Sequence, residues 1–105
     1  MVVKANDTQK REFMGVSFDL LSVGNESMVT KMKYKSGDFV PSHSHPNEQS
    51  GYVLSGIYML RIDDLDEILT KGDSYSIPAN IEHSMEILEP GEIIDIFTPP
   101  RIDYL

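Results

Sequence analysis

Apolar side chains recur at every second position in short runs along this chain, and glycine, proline, asparagine or aspartate breaks each run before a helical repeat can build up. Residues 28–34 show the pattern most clearly. Met28, Thr30, Met32 and Tyr34 alternate with Val29, Lys31 and Lys33, which gives the segment one core-facing and one solvent-facing side. With 16–23 before it and the tight-turn pair Gly24-Asn25 between, a hairpin is predicted. Further strands are predicted over 38–40, 49–54, 57–62, 68–70, 74–77, 81–88 and 92–97, with turns at Ser36-Gly37, Lys71-Gly72, Pro78-Ala79-Asn80 and Pro90-Gly91. Roughly nine short strands joined this way make an all-β sandwich or barrel. One stretch reads two ways: Ile62, Leu65, Ile68 and Leu69 stand at helical spacing ahead of Lys71-Gly72, whereas Asp63-Asp64 also makes a good hairpin turn.

Composition narrows the class. A chain of 105 residues that is 40% apolar has the length and the side chains for one domain with one core. Its 9 Lys+Arg against 17 Asp+Glu leave a formal charge of −8, which repels phosphate backbones and anionic lipid, and no basic cluster offsets it. Neither nucleic acid nor a membrane surface is therefore expected as a partner. The longest uncharged run, 49–60, is broken by Gly51 and Gly56 and falls short of the ~18 residues that span a bilayer. The N-terminal MVVKANDTQKREF lacks the apolar run of a secretory signal, and the absence of cysteine removes disulfides and thiolate chemistry, so a cytoplasmic protein is expected.

The chemistry gathers on few residues. His43, His45 and His83 are the only histidines. The first two stand at i and i+2, which on an extended segment puts both imidazoles on one face, where they can chelate a divalent ion. Flanked by Pro41, Ser42, Ser44 and Pro46, they also read as a polar loop. Asp95 alternates with Ile93 and Phe97 on a strand that is otherwise apolar on both faces. A carboxylate there needs a cation, hydrogen bonds or a metal-bound water, and an ion pair with Arg101 or Arg61 is the structural alternative.

The spacing around the histidines resembles the cupin superfamily, whose signatures read G-x5-H-x-H-x3,4-E-x6-G and G-x5-P-x-G-x2-H-x3-N. Gly37, His43, His45, Gln49 and Gly56 fall on the first over 37–56, and Gly72, Pro78, Asn80, His83 and Ile87 on the second over 72–87. Gln49 replaces the glutamate, Asn80 the turn glycine and Ile87 the closing asparagine. Asn80 tolerates the left-handed backbone that glycine would adopt. The resemblance implies one cupin domain over 1–105, an antiparallel jelly-roll barrel (the double-stranded β-helix) with a divalent metal inside its mouth. His43, His45, Gln49 and His83 then fall on the ligand positions, with Ni, Zn, Fe or Mn all suited to such a set. An amide in place of a carboxylate leaves the ion more of its positive charge, which suits an anionic substrate. Glu48 in place of Gln49 is the competing ligand, one position short and of opposite strand parity.

Within the C-terminal strand and tail, 92–105, the string IIDIFTPPRIDYL (93–105) is similar to the C-terminus of the pectin-degradation cupins of the KdgF type, which end in D-x-F-x-P-x-R-x-D-[FY]-L and share an H-S-H-P-x-E-Q first motif. Asn47 stands where those proteins often carry histidine. That resemblance, over residues 37–105, implies conversion of a 4,5-unsaturated monouronate to its linear keto form. Asp95 and Arg101 fall on its catalytic positions and Phe97 and Arg101 on its substrate-binding ones. Tyr52 and Tyr75 are candidates either for the pocket lining or for the core. Two other functions compete with this sugar-acid isomerase: an iron or manganese dioxygenase, and a non-enzymatic sensor that holds a small acid. Small cupins usually pair, and a short barrel leaves apolar strands at its rim, so a homodimer is expected.

Overall fold

A computed structural model describes all residues, 1–105. Ten strands form two antiparallel sheets: β1 (Gln9–Phe13), β2 (Val16–Val23), β3 (Met28–Tyr34), β4 (Phe39–His43), β5 (Glu48–Val53), β6 (Ile57–Ile62), β7 (Leu65–Leu69), β8 (Ser74–Ile77), β9 (His83–Glu89) and β10 (Gly91–Thr98). One sheet runs β1-β2-β3-β10-β5-β8 and the other β4-β9-β6-β7. The chain therefore changes sheet between β3 and β4, β4 and β5, β5 and β6, β7 and β8, β8 and β9, and β9 and β10, as a jelly roll does. No helix is long and apolar enough to cross a membrane.

Alternation sets which side chains face inward. On β3, Met28, Thr30, Met32 and Tyr34 are buried and their neighbours are not, as the sequence predicts. On β10, Ile93, Asp95 and Phe97 point inward. The inner faces meet in one core that includes Phe18, Val53, Tyr58, Ile77 and Ile93. Removing such side chains from water, at about 25 cal/mol per Å² of apolar area, is the main force holding the two sheets together.

Four segments depart from the sequence expectation by more than one residue at an end. β1 was not predicted, because QKREF carries no apolar alternation; it is an edge strand held by main-chain pairing to β2. β4 runs on past 38–40 to His43. Pro41, which argues against a central strand, is tolerated because β4 lies at a sheet edge and its register shifts between Val40 and His43. The strand predicted over 81–88 begins at His83, because the turn at Asn80 (φ 64°) extends further than expected. The helical reading of 62–69 gives way to a β6–β7 hairpin with Asp63 in left-handed backbone (φ 52°).

Candidate metal centre and its cavity

Both sheets contribute to one end of the barrel. His43, the last residue of β4, pairs directly with His83, the first of β9. His45 lies in the loop that follows β4, and Gln49 opens the inner face of β5 in the other sheet. The three histidines each offer a ring nitrogen, and these atoms lie within 4.8 Å of one another. Local backbone decides which nitrogen is offered. His43 Nδ1 bonds the Pro41 carbonyl at 2.9 Å, His45 Nδ1 that of Asn47 at 2.9 Å, and His83 Nδ1 that of Ile81 at 2.8 Å. A carbonyl only accepts, so each Nδ1 carries the proton and each Nε2 keeps its lone pair, the arrangement usual for metal-binding imidazoles.

Two observations fit a divalent cation. His83 Nε2 is buried with no hydrogen-bond partner, an orphan that a metal would satisfy. Gln49 Oε1 lies 3.0 Å from His45 Nε2, so two acceptors face one another, and a shared cation removes that conflict. Burial, the largest cause, pushes the pKa of His43 and His45 down and that of His83 to about 4, with the Arg101 charge adding to each. Near neutral pH all three rings are in the uncharged ligand form.

Asp95 lines the same cavity and is 2% exposed. Its Oδ1 accepts a 2.6 Å hydrogen bond from the Tyr75 hydroxyl. Burial raises its pKa from 3.8 to about 6, against the opposing pull of Tyr75, Gln49 and Arg101. The ion-pair alternative fails: Arg61 pairs with Asp66 at 3.4 Å and Arg101 with Asp103 at 2.7 Å. The Arg101 guanidinium packs within 4.7 Å of the Phe13 ring centre and 4.1 Å of that of Tyr104. Its Nε and Nη2 engage Asp103 side-on and Nη1 donates to the Tyr104 hydroxyl, which leaves one donor on each Nη for a second anion.

The cavity holds about 30 Å³, enough for a water or two and too little for a sugar ring. Arg101 also borders a surface depression of about 530 Å³ with His45, Asn47, Pro99 and Asp103. His43, Gln49, His83, Asp95, Phe97 and Arg101 thus meet around one cavity, and His45 touches Gln49 from its edge. Tyr52 does not join them. It is 50% exposed on the outer face of β5, because it shares the parity of Glu48 and Ser50, while Gln49, Gly51 and Val53 point inward. Glu48 faces outward for the same reason.

Three other residues belong to the site: Tyr75, which the sequence left open between pocket and core, and Asn47 and Phe13, to which it assigned no role. Tyr75 shares the inward parity of Ile77 on β8, a signal that was present. Asn47, noted only as a departure from the family, donates to the Pro99 carbonyl at 2.6 Å while its own carbonyl holds His45. Phe13 lies 5.3 Å from the His43 ring, and nothing in QKREF marks it.

A jelly roll whose facing strands and first crossover loop bring three histidines together at its mouth defines a cupin-class, candidate metal-binding barrel. Residues 30–97 match Cupin_2, a cupin domain, and the chain belongs to that family. It is 29% identical over 93 residues to the pectin degradation protein KdgF of Dickeya dadantii, 87% of this chain and 84% of that one. It is 31% identical over 105 residues to the HTH-type transcriptional regulator PuuR of Escherichia coli, 94% of this chain but only 57% of the regulator's length. Its fold superposes on an RmlC-like cupin from Shewanella frigidimarina with TM-score 0.91, 27% identity and coverage of 99% and 95% of the two chains. KdgF from a Halomonas species gives TM-score 0.89 at 24% identity, over 100% of this chain and 98% of the other.

Proposed function

We propose that this protein is a metal-dependent sugar-acid isomerase that opens a 4,5-unsaturated monouronate to its linear keto form. One observation carries the reading: a buried carboxyl, Asp95, faces the cavity that His43, Gln49, His83 and Arg101 also line. The similarity to a pectin degradation protein points to the same substrate class.

His43, His45, Gln49 and His83 would hold the ion, which when bound supplies Lewis acidity to sugar oxygens. The remaining chemistry belongs to the chain. Asp95 takes the proton of the anomeric hydroxyl, and the anomeric carbonyl forms as the bond to the ring oxygen breaks. The released electron pair passes through the enol to the far carbon of the double bond, which takes the proton back from Asp95. One proton has moved from oxygen to carbon, and no oxidant is consumed. A carboxyl with a pKa of about 6 is ionised near neutral pH and still basic enough for both transfers. The two free Nη donors of Arg101 receive the uronate carboxylate, and Phe97 supports the ring beneath it. A sugar ring enters only once the cavity opens onto the outer depression that Arg101 also borders.

The test is loss of the conjugated double-bond absorbance of an unsaturated monouronate in oxygen-free buffer. The wild-type protein loaded with Ni²⁺, Zn²⁺, Mn²⁺ or Fe²⁺ in turn is expected to bleach it. Oxygen uptake without bleaching in air would overturn the reading in favour of a dioxygenase. A second reading, a small-acid sensor, is favoured by the similarity to PuuR, a transcriptional regulator; ligand-induced rises in melting temperature without turnover would select it. The working unit is a homodimer, for which sedimentation at micromolar concentration should give twice the 11.9 kDa of one chain.

A further inference from the structure

Three residues stand in one row across the larger sheet: Asp95 on β10 lies opposite Gly51 on β5, and Gly51 lies opposite Tyr75 on β8. Side chains in such a row share a face, so any side chain at position 51 would stand between the other two. With none there, the Tyr75 ring lies over the glycine. A Cβ at Gly51 would collide with Tyr75 Cζ and with its hydroxyl oxygen. Gly51 is not among the glycines with positive φ, so the position demands space and not conformational freedom. The tyrosine hydroxyl spans the gap to Asp95 Oδ1 at 2.6 Å. On the other flank, Thr30 lies opposite Asp95 and donates its hydroxyl to the main-chain carbonyl of Asp95 at 3.3 Å.

We infer that Tyr75, laid across Gly51, is a positioning residue for Asp95: it fixes Oδ1 and leaves Oδ2 as the oxygen that meets the substrate. This rests on the reading of Asp95 as the group that transfers the proton. A carboxylate free to rotate spreads its basic oxygens over many directions, whereas one whose Oδ1 is held by a hydroxyl, on a main chain pinned by Thr30, offers its other oxygen in a defined place. Burial also keeps the phenol well above its ordinary pKa, so it remains a donor at every working pH.

The experiment is isotope-edited infrared spectroscopy of the Asp95 carboxylate, its band assigned by disappearance in Asp95→Asn, on metal-loaded protein at mildly alkaline pH, with kcat and KM measured on the same samples. In Tyr75→Phe the band is expected to shift while bound metal is unchanged and kcat falls about tenfold or more at a KM within about twofold. Gly51→Ala keeps the hydroxyl but drives the ring off its seat, and is expected to shift the band in the same way. Should Gly51→Ala fail to fold, Tyr75→Phe decides alone. An unchanged band in folded Tyr75→Phe overturns the inference even if the wild-type protein turns over the uronate. A shifted band with no wild-type turnover upholds the placement of Asp95 by Tyr75 and removes the proposed reaction instead.

Discussion

Asn has nearly the shape of Asp and cannot carry a proton, so Asp95→Asn separates chemistry from architecture. The variant is expected to fold and keep its metal while turnover falls by about 10²-fold or more. A destabilised protein of full activity would place Asp95 among the structural acids. Buried titrating groups also give the metal-free protein a pH signature. The folded chain leaves His83 uncharged down to about 4 while an unfolded histidine takes up its proton near 6.5, so unfolding gains a proton in that window and stability falls as pH falls. Asp95 acts oppositely: it holds its proton up to about 6 when folded and loses it near 3.8 when unfolded, so its contribution weakens the fold as pH rises through that range. Three lowered histidines outweigh one raised acid. Denaturant midpoints of chelator-treated protein should therefore rise from about pH 4.5 to 6.5, and more steeply in Asp95→Asn; a fall over that range contradicts the assignment. Strand parity, the simplest rule at this scale, was legible in the sequence. It places Gln49 inside and Glu48 outside, and applied with equal rigour it would have turned Tyr52 outward and Tyr75 toward the cavity.

Among the elements, the tail after β10 carries most of the site's closure, and its attachments are few. Asn47 holds the Pro99 carbonyl, Arg11 Nε on β1 donates to the Tyr104 carbonyl at 3.1 Å, and the Tyr104 ring packs 4.5 Å from Phe18. Asn47→Ala removes the first of these and costs about 0.5–1.5 kcal/mol, the net worth of a hydrogen bond whose acceptor Pro99 is exposed to water. Faster amide exchange at Tyr104 and Leu105, with weaker binding of a uronate, is the expected readout. Unchanged exchange there would mean that the tail is held without Asn47. The strands of strong alternation or clear turn chemistry, β2, β3, β6 and β8, could be read with their ends in the sequence. What escaped was β1, whose polar residues are ordered by the main chain of β2 and by nonlocal contacts of Phe13 and Arg11. The hairpin at 62–69 was left open because helical and strand periodicities coincide over so short an apolar set.

At the scale of the molecule, the first motif supplies one histidine from β4 and one from the crossover loop, while the second supplies its partner on β9. Sequence spacing revealed this closure because a jelly roll turns fixed intervals into fixed neighbours. It could not reveal that the cavity would be too small for its proposed substrate, which depends on how Phe13, Arg101 and Tyr104 pack together. The central claim is that His43, His45, Gln49 and His83 hold one divalent ion around which the rest is arranged. Calorimetric titration of chelator-stripped protein with Zn²⁺, run on the wild type and on His83→Ala, tests it most directly. The account predicts one site per chain in the wild type and loss of that site in the variant; equal stoichiometry and affinity in the two proteins would contradict it.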